Sequence, residues 1–371
     1  MPSTNGRASR ARRRALRIVQ FFALAALLAA CSGDQSVLDP KGPFAKGPDD
    51  LFMFVFWIAV VVFVLVQGLI VYTAVKFRQK AGDDALPVQT HGNTKLEIVW
   101  TVIPALILAA ISVPTIQMIF DLDEEPPGAM TVEVIGHRWW WEYRYPDYGI
   151  ITANELVIPV GVPIRLEMRA EESGAADRGV LHSYWVPKLG GKQDVIPGRM
   201  VTLNIQADTA GRYLGQCAEY CGLSHANMRN RAVALDMADF EEWVAAQQQP
   251  AAEPSDGLAV QGRELFTANC AACHTINSSS VAGADDFTNA IAPNLTHLMS
   301  RKEFAGAIFD LYGRDADGNF TDEPNVDLLK EWLRNPPAMK AMRPADGIGM
   351  PNLNLSEDQI EVLVAYLTTL Q

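Results

Sequence analysis

Positive charge is scarce in this chain. Lysine and arginine number 31 against 43 aspartates and glutamates over 371 residues, a formal net charge of −12. Such a balance repels polyanions, which argues against nucleic acid as a partner and leaves a basic protein as a suitable one. The shortage deepens past the N-terminus, because Arg7, Arg10, Arg12, Arg13, Arg14 and Arg17 all fall within residues 1–30. Without them the formal charge is −18. No internal repeat is visible, and the length suits two or three domains of roughly 100 to 200 residues each.

Those arginines precede the apolar run FFALAALLAA and then Cys31, the layout of a secretory signal over residues 1–30. LAAC at 28–31 has the form of a lipobox, which would make Cys31 a lipidated mature N-terminus; an uncleaved amphipathic tail is the alternative. Charge of either sign is then missing altogether from residues 51–75 and 98–120. At 1.5 Å rise per residue each stretch covers a hydrocarbon core of about 30 Å. Spans are therefore expected at 51–77 and 96–120, with buried core helices as the alternative. The connector carries Lys76, Arg78, Lys80 and Lys95, whereas the outer flanks hold Asp49, Asp50 and the acidic DLDEE at 121–125. By the positive-inside rule the connector is cytoplasmic and everything after Phe120 is exported.

The exported part changes period twice. PIRLEMRA alternates Ile164, Leu166 and Met168 with Arg165, Glu167 and Arg169, and MVTLNIQ alternates Val201, Leu203 and Ile205 with polar residues. With turn signals between such runs, a sandwich or Greek-key barrel is expected over 130–244. Residues 245–257, AAQQQPAAEPSDG, lack any large apolar residue and read as a linker. Residues 258–371 have helical spacing, with Ser356 and Asp358 opening a last helix that carries Ile360, Leu363, Val364 and Leu367.

Cysteine is scarce too, five in all, and four lie where an oxidising compartment makes disulfides the default. CAACH, Cys270 to His274, is instead the c-type haem attachment signature: two thiols form thioethers and His274 becomes the proximal iron ligand. A zinc or redox dithiol would not need the histidine. A thioether suits the sixth position. GIGMPNL offers Met350, with Met339, Met342 and His297 as competitors. Cys217 and Cys221 then have only each other, in CAEYCGLSHANM. A disulfide or a plain helical face is possible. Yet His225 and Met228 follow at once, and LHSYW adds His182. Two thiolates, two imidazoles and a thioether form a soft set that favours copper over zinc, and two thiolates can bridge a pair of copper ions.

With HSYWVP and CAEYCGLSHANM beside the two spans and the barrel, residues of about 50–244 resemble subunit II of haem-copper cytochrome c oxidases, and the appended haem domain resembles the caa type. Quinol-oxidising relatives lack the copper motif. The resemblance implies two transmembrane helices, a cupredoxin-like Greek-key β-barrel and an all-α cytochrome c domain. It implies that His182, Cys217, Cys221, His225 and Met228 ligate a dinuclear copper A centre. Glu219 would give its backbone carbonyl to copper and its side chain to magnesium at the boundary with subunit I.

GHRWWWEYRY, at 136–145, resembles the family's aromatic patch, which implies for Trp139 the position associated with electron entry. Three adjacent tryptophans are too many for one strand face, so at least one should be exposed or at an interface, with Trp140 in the core. Glu97 would stand at the mouth of a proton pathway, or simply be a helix N-terminal carboxylate favoured by the dipole. Asp194 and Arg199 of KQDVIPGR would face subunit I.

The implied function is electron relay. An external donor, such as a cytochrome c or an upstream respiratory complex, would reduce haem c, then copper, then the oxygen-reducing site of subunit I. Oxygen chemistry falls outside this chain, whose spans hold no histidine. A copper-A nitric oxide reductase subunit and a copper-binding lipoprotein without turnover are the rivals. The expected location is the bacterial cell membrane, with both metal domains on the extracytoplasmic side. The stretch YGRDADGNFTDEPNVD is longer than a minimal cytochrome c needs. Its Asp315, Asp317 and Asn319 resemble a calcium loop, but Val326 stands where a glutamate is wanted, so a solvated loop is expected.

Overall fold

The computed structural model describes residues 20, 33–79, 82, 89, 91–171, 179–255, 257–277 and 292–371. Cys31, the rest of the expected signal apart from Gln20, and Lys80 of the connector lie outside these residues.

Two long helices come first, α1 (Pro43–Lys76) and α2 (Thr94–Asp123). Pro43 occupies the first turn of α1, where its missing N–H costs nothing. Asn93 opens α2 by accepting the Lys95 and Leu96 amides at 3.1 and 3.3 Å. With 34 and 30 residues the helices are about 50 and 45 Å long. Both exceed the expected 51–77 and 96–120 because their outer ends run on into the exported domain. Leu65, Val71, Ile103 and Leu108 are all more than half exposed, a surface that only lipid or another protein would cover.

The outer ends are bolted to the barrel. Before α1, Lys41 donates its amide to Lys188 O and accepts that of Asp208, both at 2.7 Å. At the end of α2, the buried Asn204 donates to Leu122 O at 3.0 Å and Glu124 O at 2.8 Å, and Arg165 Nη1 donates to Asp123 O at 3.2 Å. These side chains satisfy carbonyls that a helix end leaves open.

The barrel is two five-stranded sheets face to face. One runs β3-β2-β1-β5-β8, from β1 (Met130–His137), β2 (Trp140–Tyr145), β3 (Ile150–Ala153), β5 (Ile164–Ala170) and β8 (Val201–Ile205). The other runs β4-β10-β9-β6-β7, from β4 (Glu155–Pro159), β6 (His182–Trp185), β7 (Lys192–Val195), β9 (Gly211–Cys217) and β10 (Arg229–Leu235). Pairs β1/β5 and β4/β10 are parallel. In β5 the alternation holds: Ile164, Leu166 and Met168 are buried and the charged residues between them are not. In β8 it does not, since Asn204 is buried and Leu203 only partly so. The task of Asn204 at the end of α2 overrides the polar-out pattern.

Helix α3 (Met237–Gln247) closes the barrel and continues into the span expected as linker. That span is packed rather than free: Ala251 is buried and donates its amide to Asn277 Oδ1 at 2.6 Å, and Gln247 Nε2 donates to Ser300 Oγ at 3.1 Å. Beyond it lie α4 (Gly257–Asn269), α5 (Val326–Arg334), α6 (Pro336–Met339) and α7 (Glu357–Leu367). Ser356 caps α7, with Gln359 rather than Asp358 completing the reciprocal box. Helices α4 and α7 cross at Gly262, where a Cβ would lie 1.9 Å from Val362 O. The domain expected to be all-α also carries two short hairpins, β11 (Glu303–Phe304) with β12 (Phe309–Asp310), and β13 (Tyr312–Arg314) with β14 (Phe320–Pro324). The stretch expected as a solvated loop is thus largely the second hairpin. Asp315 turns its carboxylate onto the Asp317 and Asn319 amides at its tip.

The first hairpin docks the domain onto the barrel. Glu303 accepts from Arg231 at 2.6 Å and Arg212 at 2.8 Å, and Glu155 of the barrel accepts the Lys302 and Glu303 amides at 2.8 and 3.0 Å. Removing one partner of a buried pair leaves the other charge without compensation. Glu303→Leu is therefore expected to cost about 3 kcal/mol, and the double variant R231M/E303L less than that. Thermal unfolding of the detergent-solubilised chain compares the two.

Candidate metal centre and haem cleft

Strand β9 ends on Cys217, and its amide donates to Met228 O at 2.9 Å, closing the intervening loop on itself. Within that loop the turn His225–Asn227 brings the imidazole back toward the sulfurs. Strand β6 delivers His182 because Tyr184 pairs with Cys217 across the sheet.

The five side chains expected from the sequence meet. Cys217 Sγ lies 3.8 Å from Cys221 Sγ and 3.8 Å from His182 Nδ1. Cys221 Sγ lies 3.6 Å from His225 Nδ1 and 3.7 Å from Met228 Sδ. His182, Cys217, Cys221 and Met228 are buried and His225 is half-buried. A disulfide needs its sulfurs about 2.05 Å apart, so the thiols are unbonded. The helical-face alternative also fails, since β9 and a loop carry them. Glu219 turns its carbonyl to within 3.2 Å of Cys217 Sγ.

Contact with the Cys221 thiol, helped by His182, holds the Cys217 thiol well below its ordinary range. The same contact, and then burial, push Cys221 up. Soft donors, converging without bonding one another, fit a soft cation better than any packing role.

The haem signature lies at the end of α4 and lines an apolar cleft of about 210 Å³. Cys270, Cys273, His274, Met342 and Met350 all reach its wall; Met339 does not. His274 Nδ1 donates to Pro293 O at 2.8 Å, leaving Nε2 as the basic nitrogen. Burial lowers its pKa and keeps the ring neutral, as a ligand must be. Met350 packs in the haem-domain core with Phe266 and Cys270, whereas Met342 packs against the barrel core. His297 is tied to two carbonyls, Gln371 O at 2.7 Å and Gln247 O at 3.0 Å, and has no nitrogen left for iron. The thiol pair, the imidazole and the thioether on one apolar wall fit haem c.

The cleft and the sulfur cluster share a wall. Trp139 lines the cleft, is only 3 % exposed, and donates its indole N–H to Cys221 O at 3.0 Å. It stands at an interface between this chain's own domains, and Trp140 lines the same cleft. Trp140 is buried and stacked on His137 at 4.0 Å. Asp194 and Arg199 are exposed, and Glu97 stands exposed in the first turn of α2.

Sequence reasoning missed Lys340. It is buried, and its Nζ donates to Trp139 O at 2.7 Å and Ala305 O at 2.8 Å. Burial pushes its pKa down to about 7. Nothing in AMKAM distinguishes it from a surface lysine.

A cation entering the sulfur cluster must displace the proton that the thiol pair retains. Affinity for copper is therefore expected to rise with pH, by about tenfold per unit for each proton released. Competition titration against a chelator at two pH values measures it; an affinity independent of pH would contradict the assignment of the proton.

Three family models match this chain: the transmembrane domain of cytochrome c oxidase subunit II at 31–118, its periplasmic domain at 150–234, and cytochrome c at 259–371. Cytochrome c oxidase subunit 2 of Alkalihalophilus pseudofirmus is 34% identical over 367 residues, covering 96% of this chain and 97% of the relative. The protein of that name from Bacillus sp. strain PS3 is 33% identical over 374 residues, covering 96% and 97%. Among solved structures, the periplasmic domain of subunit II of cytochrome oxidase of Bradyrhizobium japonicum is 29% identical, covering 33% of this chain and 96% of its own, with a TM-score of 0.31. Matched almost from end to end, this chain belongs to the cytochrome c oxidase subunit II family, as a membrane-anchored subunit of a haem-copper terminal oxidase with its own cytochrome c domain.

Proposed function

We propose that this subunit carries electrons from an external donor to subunit I, the haem domain first and the sulfur cluster second. The observation that carries the reading is the wall the two sites share, where one tryptophan borders the cleft and bonds a cysteine of the cluster. When bound, haem c and a dinuclear copper A supply reversible one-electron chemistry; the chain's residues hold them, dry them and fix their separation.

Each side chain has a part. Cys270 and Cys273 would anchor the haem covalently, with His274 and Met350 as ligands to its iron. His182, Cys217, Cys221, His225 and Met228, with the Glu219 carbonyl, would hold the copper pair. The Glu219 side chain would reach magnesium at the boundary with subunit I, where the exposed Asp194 and Arg199 also belong. Glu97, at the start of α2, would serve the mouth of a proton pathway. Trp139 would lie on the electron's route. Its burial beneath the haem domain supports the order donor, haem, copper, because no soluble donor reaches that indole directly. Net negative charge favours a basic donor.

Cys221→Ser is expected to abolish the paired-copper spectrum while haem c still reduces, with passage onward to subunit I lost. Normal onward transfer in that variant would sink the relay order. Met350→Leu is expected to leave the haem covalently attached but change its axial-ligand spectrum, and Met342→Leu to leave that spectrum as it was; the reverse pattern would transfer the assignment to Met342.

A further inference from the structure

The loop joining β11 to β12 is held in a conformation that its residues disfavour. Ala305, Gly306 and Ala307 have φ of 54°, 85° and 56°, three successive left-handed residues of which two carry a Cβ. Strain of this kind persists only where the surroundings over-determine it, and it clusters at functional sites. Here every carbonyl of the triplet is caught. Lys340 Nζ donates to Ala305 O at 2.8 Å, the Arg229 amide to Gly306 O at 3.0 Å, and Arg231 Nη2 to Ala307 O at 3.1 Å. Two of the donors come from the barrel, and the third, Lys340, spends its other bond on Trp139 O at 2.7 Å. Gly306 leaves no slack: a Cβ there would lie 2.6 Å from Lys340 Nζ, 2.8 Å from Asn227 O and 3.0 Å from Trp139 O.

A buried lysine is a costly way to fill this space. An apolar chain of the same length would fill it without desolvating an amine. What lysine alone supplies is a pair of directed bonds to two backbone segments, one in each domain. Trp139 is thereby fixed at both ends, its carbonyl on Lys340 and its indole on Cys221 O.

We propose that Lys340 is a positioning residue that fixes Trp139 between the haem cleft and the copper site, with the strained 305–307 loop as its seat. The proposal rests on the relay reading. When bound, the haem would give up one electron and the copper pair would accept it as a unit; no proton or bond changes place at Lys340. Because tunnelling decays exponentially with distance, a small slackening at this contact slows passage without removing either group.

The test uses the full chain with haem and copper loaded, in the variants Lys340→Met, Gly306→Ala and Arg212→Met. Two quantities are read: amide hydrogen exchange over residues 136–141, and the rate of electron passage from haem to copper after photochemical reduction. K340M and G306A are each expected to raise exchange and to slow passage by about tenfold or more, with the haem spectrum retained in both and the copper spectrum retained in K340M. R212M, which removes one partner of Glu303 but none of the bonds to the 305–307 carbonyls or to Trp139, is expected to change both less than either joint variant does. G306A disturbs the contact from the other side, so the test does not depend on K340M folding. Unchanged exchange and rate in both joint variants would overturn the proposal, as would an equal effect in R212M. A parent protein that passes no electron between its domains would sink the relay instead, a result the exchange measurement separates from failure of the Lys340 contact.

Discussion

Two buried sulfurs stand 3.8 Å apart without bonding, and the architecture around them serves that separation. The barrel provides it by closing the 217–228 loop with a backbone bond between its two ends, so the cysteines cannot collapse on one another without breaking the sheet. Two strands of one sheet then set the reach of His182, and a single turn sets that of His225. Because strands and a closed loop hold the donors, a metal pair bound here would change charge with little movement of its ligands. Electron carriers need such rigidity. It also explains why the helix ends are bolted to the barrel through Lys41, Asn204 and Arg165: a rigid site is useful only at a fixed height above the membrane.

The second constraint is the contact between the two exported domains. An ordinary tether would leave the haem domain to find the barrel by diffusion. Instead the linker packs, Glu303 pairs with the buried Arg231 and the partly buried Arg212, and the 305–307 loop presents its carbonyls to the barrel and to Lys340. Trp139 then becomes an internal residue.

Much of this was legible in the sequence, and for identifiable reasons. The spans, the CAACH motif and the soft-donor run are local patterns whose chemistry does not depend on the fold. His182 was legible because histidine is rare, six in the chain. Three features were not. Asn204 sits in a strand pattern as a solvent-facing residue, yet it is buried to cap a helix far away in sequence. The acidic insert looked like a solvated loop because its turn residues dominate, although Tyr312 and Phe320 supply a hairpin. Lys340 and Gly306 carry no local signal at all; their roles exist only once two domains meet. Tertiary contacts over long separations hide best from sequence.

The most direct test of the central claim is electron paramagnetic resonance of the purified, copper-loaded protein, combined with metal and haem analysis. The account predicts an unpaired electron shared equally by a pair of copper nuclei, with one such pair for each haem c. A signal from an isolated mononuclear copper, at one ion per haem, would contradict it.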